Sequence, residues 1–186
     1  MNLPDLYKPQ VMAIVNATPD SFYSASRTDD ADSLEHRIAD VVAQGATIID
    51  IGGYSSRPGA DDVPLEEEWR RVDLAVGVAR KIAPNVAVSV DTFRSEVVRR
   101  TVEKYGKIIV NDITAGEGDE QMIATVAQLD LPYIAMHMRG TVQTMQSKTE
   151  YSDVVAEVTD YLATKVAELE QKGVRRENII LDPGFG

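Results

Sequence analysis

Six short apolar runs punctuate the chain: Val11–Val15, Ile48–Ile51, Val86–Val90, Ile108–Val110, Tyr133–Met136 and Ile179–Leu181. They are β-rich and do not alternate with polar residues, the pattern of strands buried on both faces of a parallel sheet. Between them, apolar residues recur three and four apart. Val154, Val155, Val158, Tyr161, Leu162, Val166 and Leu169 form one such stripe, and Trp69, Val72, Val76 and Ala79 form another. Both predict amphipathic helices. Gly45, Gly106 and Gly173 stand where helices should stop before the next strand, because glycine is the cheapest residue in a left-handed C-terminal cap. Pro64, followed by Glu66, Glu67 and Glu68, predicts a helix start with acids near its positive end. No composition shift or low-complexity linker divides the chain. We expect a lead-in over residues 1–10 and one domain over 11–186.

The pattern amounts to five and a half βα units. A (βα)8 barrel of the TIM type and an open doubly wound sheet both fit it. The strand ends favour the barrel, here with about six strands. Each predicted strand finishes in polar residues: Asn16, Asp50 near Gly52 and Gly53, Asp91, Asn111 with Asp112, His137, and Asp182. A closed barrel gathers all such ends around one mouth, whereas an open sheet uses mainly those at its switch point. No G-x-G-x-x-G follows a strand, which weakens a dinucleotide-binding reading.

Composition narrows the function. The 186 residues carry a formal net charge of -11, which argues against a nucleic-acid partner, since phosphate backbones need a basic face. There is no cysteine, hence no disulfide framework or thiolate metal site, and His36 and His137 are too far apart in sequence to suggest zinc. The N-terminus has no basic start followed by an apolar run, so it does not read as a signal peptide. No apolar stretch approaches the roughly 20 residues that span a bilayer. The expectation is a cytoplasmic enzyme with no membrane partner.

Several segments carry chemistry. Asn16-Ala17-Thr18-Pro19-Asp20-Ser21-Phe22 is a polar loop after the first strand, and taken alone it could be an ordinary βα connection. Gly52 to Gly59 combines glycines, which let a ligand approach the backbone, with Arg57, whose planar fork suits a phosphate. Ser89-Val90-Asp91-Thr92, Val110-Asn111-Asp112-Ile113 and Leu181-Asp182-Pro183-Gly184 each place a carboxylate or amide at a strand end. Around one mouth these form an acceptor-rich pocket, which suits the donor edge of a pterin. For Asp50 and Asp112 the plainer role of capping a following helix is preferred.

The segments V-M-A-I-V-N-A-T-P-D-S-F, D-I-G-G-Y-S-S-R-P-G-A, V-S-V-D-T, V-N-D-I, M-H-M-R-G and L-D-P-G-F-G, in that order from Val11 to Gly186, resemble the motifs of the dihydropteroate synthase family. The resemblance implies a (βα)8 barrel. It also implies condensation of 6-hydroxymethyl-7,8-dihydropterin diphosphate with p-aminobenzoate to give 7,8-dihydropteroate and diphosphate. By motif, Asp91, Asn111 and Asp182 should hydrogen-bond the pterin, with Ile113 and Met136 packed on its ring. Asn16 should serve the diphosphate and its Mg²⁺, and Arg57 the diphosphate. Phe22, Ser56 and Pro58 should line the p-aminobenzoate site, where sulfonamides would compete. Asp91, Asp182 and Arg57 are the expected catalytic groups. His137 is read as structural, facing the mouth.

Ser56 stands where the family usually has threonine, and Ala13 where it usually has glycine. The family's pattern continues with a seventh strand bearing S-R-K and an eighth bearing R-x-H, so the 186-residue chain alone is expected to be a poor catalyst. A homodimer is expected for a full-length form. The competing readings are a pterin-binding methyltransferase domain and a fragment that binds pterin without catalysis.

Overall fold

A computed structural model describes residues 5, 8–17, 27–54, 62–141 and 144–185. Six strands alternate with five helices: β1 (Met12–Asn16), α1 (Arg27–Ala43), β2 (Ile48–Gly52), α2 (Leu65–Ile82), β3 (Ala87–Asp91), α3 (Ser95–Tyr105), β4 (Ile109–Asp112), α4 (Met122–Leu129), β5 (Tyr133–Met136), α5 (Val154–Gln171) and β6 (Ile179–Asp182). Each predicted strand is present within a residue or two of its expected bounds, and both apolar stripes lie on helices. Gly45, Gly106 and Gly173 all have positive φ, as the helix-stop reading requires. Pro64 caps α2 from just outside.

All strand pairs are parallel and the order is β1-β2-β3-β4-β5-β6. That strictly sequential order decides the architecture. Right-handed crossovers that never reverse direction put every helix on the same side of the sheet. A doubly wound sheet needs a reversal, and this one has none. The described residues thus form six parallel strands of a barrel-type (βα) winding.

The two faces of the sheet are buried differently. Val15, Ile49, Ile51, Val88, Val90, Val110, Tyr133 and Ala135 face the helices in the main core, with Leu34, Ile38, Val72, Val76, Val97 and Met122. Ile48, Ala87, Ile109 and Ile134, with Ile180 against them, make a separate small cluster. These lie on the opposite, inner face, since side chains along a strand alternate. Every second residue beyond them therefore also points inward: Asp50 and Gly52, Ser89 and Asp91, Asn111, Met136, and Asp182. Most of the polar strand ends of the sequence thus share one surface, while Asp112, one residue after Asn111, faces the helices with Val110.

Candidate active site

The inner ends of the strands are brought level by their register. Asn16 pairs with Gly52, Gly52 with Asp91, and Asp91 with Asn111. Further round, Met136 pairs with Asp182. Gly52 has no side chain to separate its neighbours. A Cβ placed there would lie 3.3 Å from Asn16 Oδ1 and 3.5 Å from Asp91 Oδ2. Asn16 and Asp91 therefore flank the same gap, and glycine keeps it open.

Asp91 is a strongly perturbed acid on this face. Burial, followed by repulsion from Asp50, Asp112 and Glu68, pushes its carboxyl up to about 8. Asp91 retains some solvent-exposed area, so the carboxyl is enclosed on most sides and open towards the mouth. An acid so placed gains from a ligand that supplies N–H donors or positive charge. Asn111, beside it, is half-buried, and its Nδ2 donates to Asp50 Oδ2 at 3.1 Å. Asp182 accepts from the Gly184 amide through Oδ1 at 2.8 Å, which fixes the turn after β6. Its backbone oxygen accepts from His137 N at 2.8 Å.

Asp112 and Asp50 differ from each other. Asp112 Oδ1 accepts from Thr114 N and Oγ1, and its Oδ2 from Gly116 N and Tyr133 Oη. This fully used carboxylate builds the turn after β4 and does not cap α4, whose N-cap position is Gln121, so the helix-cap expectation is corrected for Asp112. Asp50 caps nothing. It is 4% exposed, lies within β2 and contacts Asn111 from below, so the helix-cap expectation is corrected. The physical reason is parity: Asp50 lies two residues before Gly52 and so shares its inward direction.

Glu68 lies in the first turn of α2, as the sequence pattern requires, and it is also wholly buried against the turn after β3. It accepts from Thr92 Oγ1 at 2.6 Å and from Arg94 Nη1 at 2.6 Å. Arg94 also donates to the Val63 carbonyl at 2.7 Å, while Arg71 donates to the Gly53 carbonyl at 3.1 Å. Tyr54 Oη donates to Asp62 Oδ1 at 3.2 Å. These contacts tie down both flanks of the segment that carries Arg57.

Residues 12–186 match the family described as pterin binding enzyme. The chain belongs to this family. It is 43% identical over 185 residues to dihydropteroate synthase of Escherichia coli K12, covering 98% of this chain and 64% of the relative. It is 45% identical over 176 residues to the folic acid synthesis protein fol1 of Schizosaccharomyces pombe, covering 94% of this chain and 24% of that protein. Among solved structures, Xanthomonas albilineans dihydropteroate synthase with 4-aminobenzoic acid superposes with a TM-score of 0.80 at 38% identity, over 97% of this chain and 63% of that one. Yersinia pestis dihydropteroate synthase in a sulfonamide complex gives 0.82 at 34% identity, over 98% and 65%. The chain thus spans about two-thirds or less of the length of these relatives.

Within this pterin-binding fold, the expected residues separate into three groups. Asn16, Asp91, Asn111, Met136 and Asp182 share the inner face at the strand ends. Ile113 is half-buried in the turn after β4. Phe22, Ser56, Arg57 and Pro58 lie outside the described residues. His137 is 7% exposed and packs edge-on against Tyr161 at 4.9 Å between ring centres. Burial and the nearby Arg139 push its pKa below the usual histidine value, in keeping with a structural role. Among the described residues no cluster of three or more His, Asp or Glu is placed to hold a metal. No helix among them is long and apolar enough to cross a membrane.

Proposed function

We propose that the chain carries the pterin-binding part of a dihydropteroate synthase. Such an enzyme condenses 6-hydroxymethyl-7,8-dihydropterin diphosphate with p-aminobenzoate, releasing diphosphate. The observation that carries the proposal is the inward row Asn16, Gly52, Asp91 and Asn111, with Asp182 further round the same face. A pterin offers a fork of N–H donors along one edge. Asp182 and Asp91 offer carboxylate acceptors, and Asn111 can both give and accept.

The chemistry follows from charge. When diphosphate leaves, positive charge spreads from the methylene into the pterin ring. Carboxylates fixed beside that ring stabilise the charge without reorganising. Asp91 suits this task, because burial and the neighbouring acids disfavour its ionised form, and a donor-rich or cationic ring would relieve it. Arg57 would neutralise the departing diphosphate, and the arylamine would then attack the methylene carbon. Phe22, Ser56 and Pro58 are proposed to hold p-aminobenzoate, the ground on which sulfonamides would compete. Ile113 and Met136 would sandwich the ring.

Mg²⁺ is proposed as the cofactor. Asn16 is exposed at the rim and its Oδ1 is a neutral oxygen, the kind of single protein ligand accepted by a hard cation that keeps its waters and takes phosphate oxygens. When bound, the ion would offset charge on the diphosphate. A homodimer and a cytoplasmic setting are proposed for the full enzyme on the resemblance alone.

Calorimetric titration with a pterin tests the reading. Asp91→Asn and Asp182→Asn should each weaken binding by about tenfold or more, since a charged hydrogen bond in an enclosed site contributes on the order of 1.5–3 kcal/mol. Unchanged affinity in both variants would refute the assignment.

A further inference from the structure

One layer beneath the proposed pterin edge, β2 and β3 bury two polar side chains that neither the core nor the expected chemistry requires. Asp50 is 4% exposed and Ser89 is completely buried. They are register partners on adjacent strands and both face the barrel interior. Among the described residues Asp50 Oδ1 and Ser89 Oγ have no hydrogen-bond partner, although the hydroxyl lies close enough to Asp50 to draw its carboxyl pKa down against the larger effect of burial. The other oxygen, Oδ2, has one partner, Asn111 Nδ2 at 3.1 Å. A buried carboxylate is costly to keep. Here its clearest contact is with a residue of the site above it.

That contact determines what Asn111 can present. A primary amide has a donor end and an acceptor end, and from one rotamer it can show either after a half-turn. A carboxylate below it attracts Nδ2 and repels Oδ1. With Nδ2 drawn down to Asp50, Oδ1 is left directed away from it, beside Asp91, its register partner on β3. Asp91 and Asn111 then offer adjacent acceptors. The ring edge that fits must carry N–H groups at both places, and an edge with a lone pair opposite Oδ1 meets repulsion instead.

We propose that Asp50 is a positioning residue that locks the Asn111 amide with its oxygen towards the ligand and so selects heterocycles with a donor edge. This rests on the pterin-binding reading given above. Asp50 does not touch the ligand. It acts through Asn111.

The test has two arms on the 186-residue chain. The first needs no ligand: the Asn111 side-chain NH₂ signals are followed by ¹⁵N-resolved NMR. In the native chain the bonded proton should lie downfield and exchange slowly. Asp50→Leu should shift it upfield and speed its exchange about tenfold or more, as expected for loss of a hydrogen bond to a charged group. Asp50→Asn, which keeps the fold's polarity and offers an oxygen in the same place, should restore part of the protection. The second arm measures binding of 6-hydroxymethylpterin monophosphate by calorimetry in a double-mutant cycle with Asn111→Ala. Asp50→Asn should weaken binding in the native background by a few-fold and by less than about twofold once Asn111 is alanine, because partners in one chain of contacts are not additive.

Asn111 signals that ignore both Asp50 variants overturn the proposal whatever the ligand does. Additive losses in the cycle also overturn it, since Asp50 would then act by another route. A native chain that binds no pterin overturns the functional reading and the selectivity drawn from it, while the first arm still decides whether Asp50 holds the amide.

Discussion

Glu68 Oε2 and Arg94 Nη1 lie 2.6 Å apart, and the Glu68 side chain has no exposure to solvent. Burial raises the Glu68 pKa, and hydrogen bonds from Thr92 and Arg94 work against that rise. The pair joins α2 to the turn after β3, and through the Val63 carbonyl it reaches the chain entering α2.

Glu68→Ala should therefore be severe. It strands a partly buried guanidinium and the Thr92 hydroxyl, and breaking one side of a buried pair costs about 3–5 kcal/mol. Glu35, paired with Lys81 at 3.1 Å on the exposed surface, is the comparison. Glu35→Ala should cost less than about 1 kcal/mol. Urea unfolding of both variants measures the difference, and similar losses would show that the Glu68 contact is not a strut.

Asp91 predicts a pH dependence of stability. Its pKa stands near 8 in the folded chain against an ordinary 3.8. Between those values the folded state holds a proton that the unfolded state has released, so the Asp91 contribution to stability falls as pH rises through that window. Asp91→Asn removes the titration. The Tm of the variant relative to the native chain should rise from pH 5 to pH 9. For a chain of this size each kcal/mol corresponds to about 2–4 °C. A gap between the two that stays flat with pH would mean that Asp91 ionises freely.

Gly184 and Gly173 separate strain from collision. Both have positive φ, +72° and +94°. A Cβ at Gly184 would run into the His137 carbonyl oxygen, whereas one at Gly173 meets only Ala127 Cβ at 3.8 Å. Gly173→Ala should cost about 1 kcal/mol from backbone strain. Gly184→Ala should cost more and should also weaken pterin binding, because the Gly184 amide is the donor that holds Asp182. Equal melting and equal binding in the two variants would contradict this.

The edges of the described sheet predict self-association. Met12 and Ile14 on β1 are 37% and 60% exposed, and Leu181 on β6 is 44% exposed. Unpaired edge strands with apolar side chains invite pairing with another chain. Light scattering of the 186-residue chain should show association that grows with concentration, and Ile14→Lys should reduce it. A native chain that stays monodisperse would show that these edges are covered.

The sequence by itself determined the strands, the helices and their alternation. A run such as Ile108–Val110, apolar at every position, can be satisfied only between two buried faces, and the stripe from Val154 to Leu169 fits only a helix lying on apolar surface. It also singled out Asp91, Asn111 and Asp182 as strand-end residues, because a polar residue closing an apolar strand is conspicuous along the chain. Parity along the strand could have flagged Asp50 as well, since it sits two residues before Gly52.

What only the tertiary structure decided was which groups meet. The sequential strand order turned a choice between two windings into one. Register set Asp91 level with Asn111 and put Asp50 beneath that amide. The Glu68–Arg94 pair spans 26 residues, and no local pattern marks it. The physical reason is that periodicity reports the direction in which a side chain leaves its own element. The distance between side chains on different elements, and hence the field that lifts the Asp91 pKa, is set by how those elements pack.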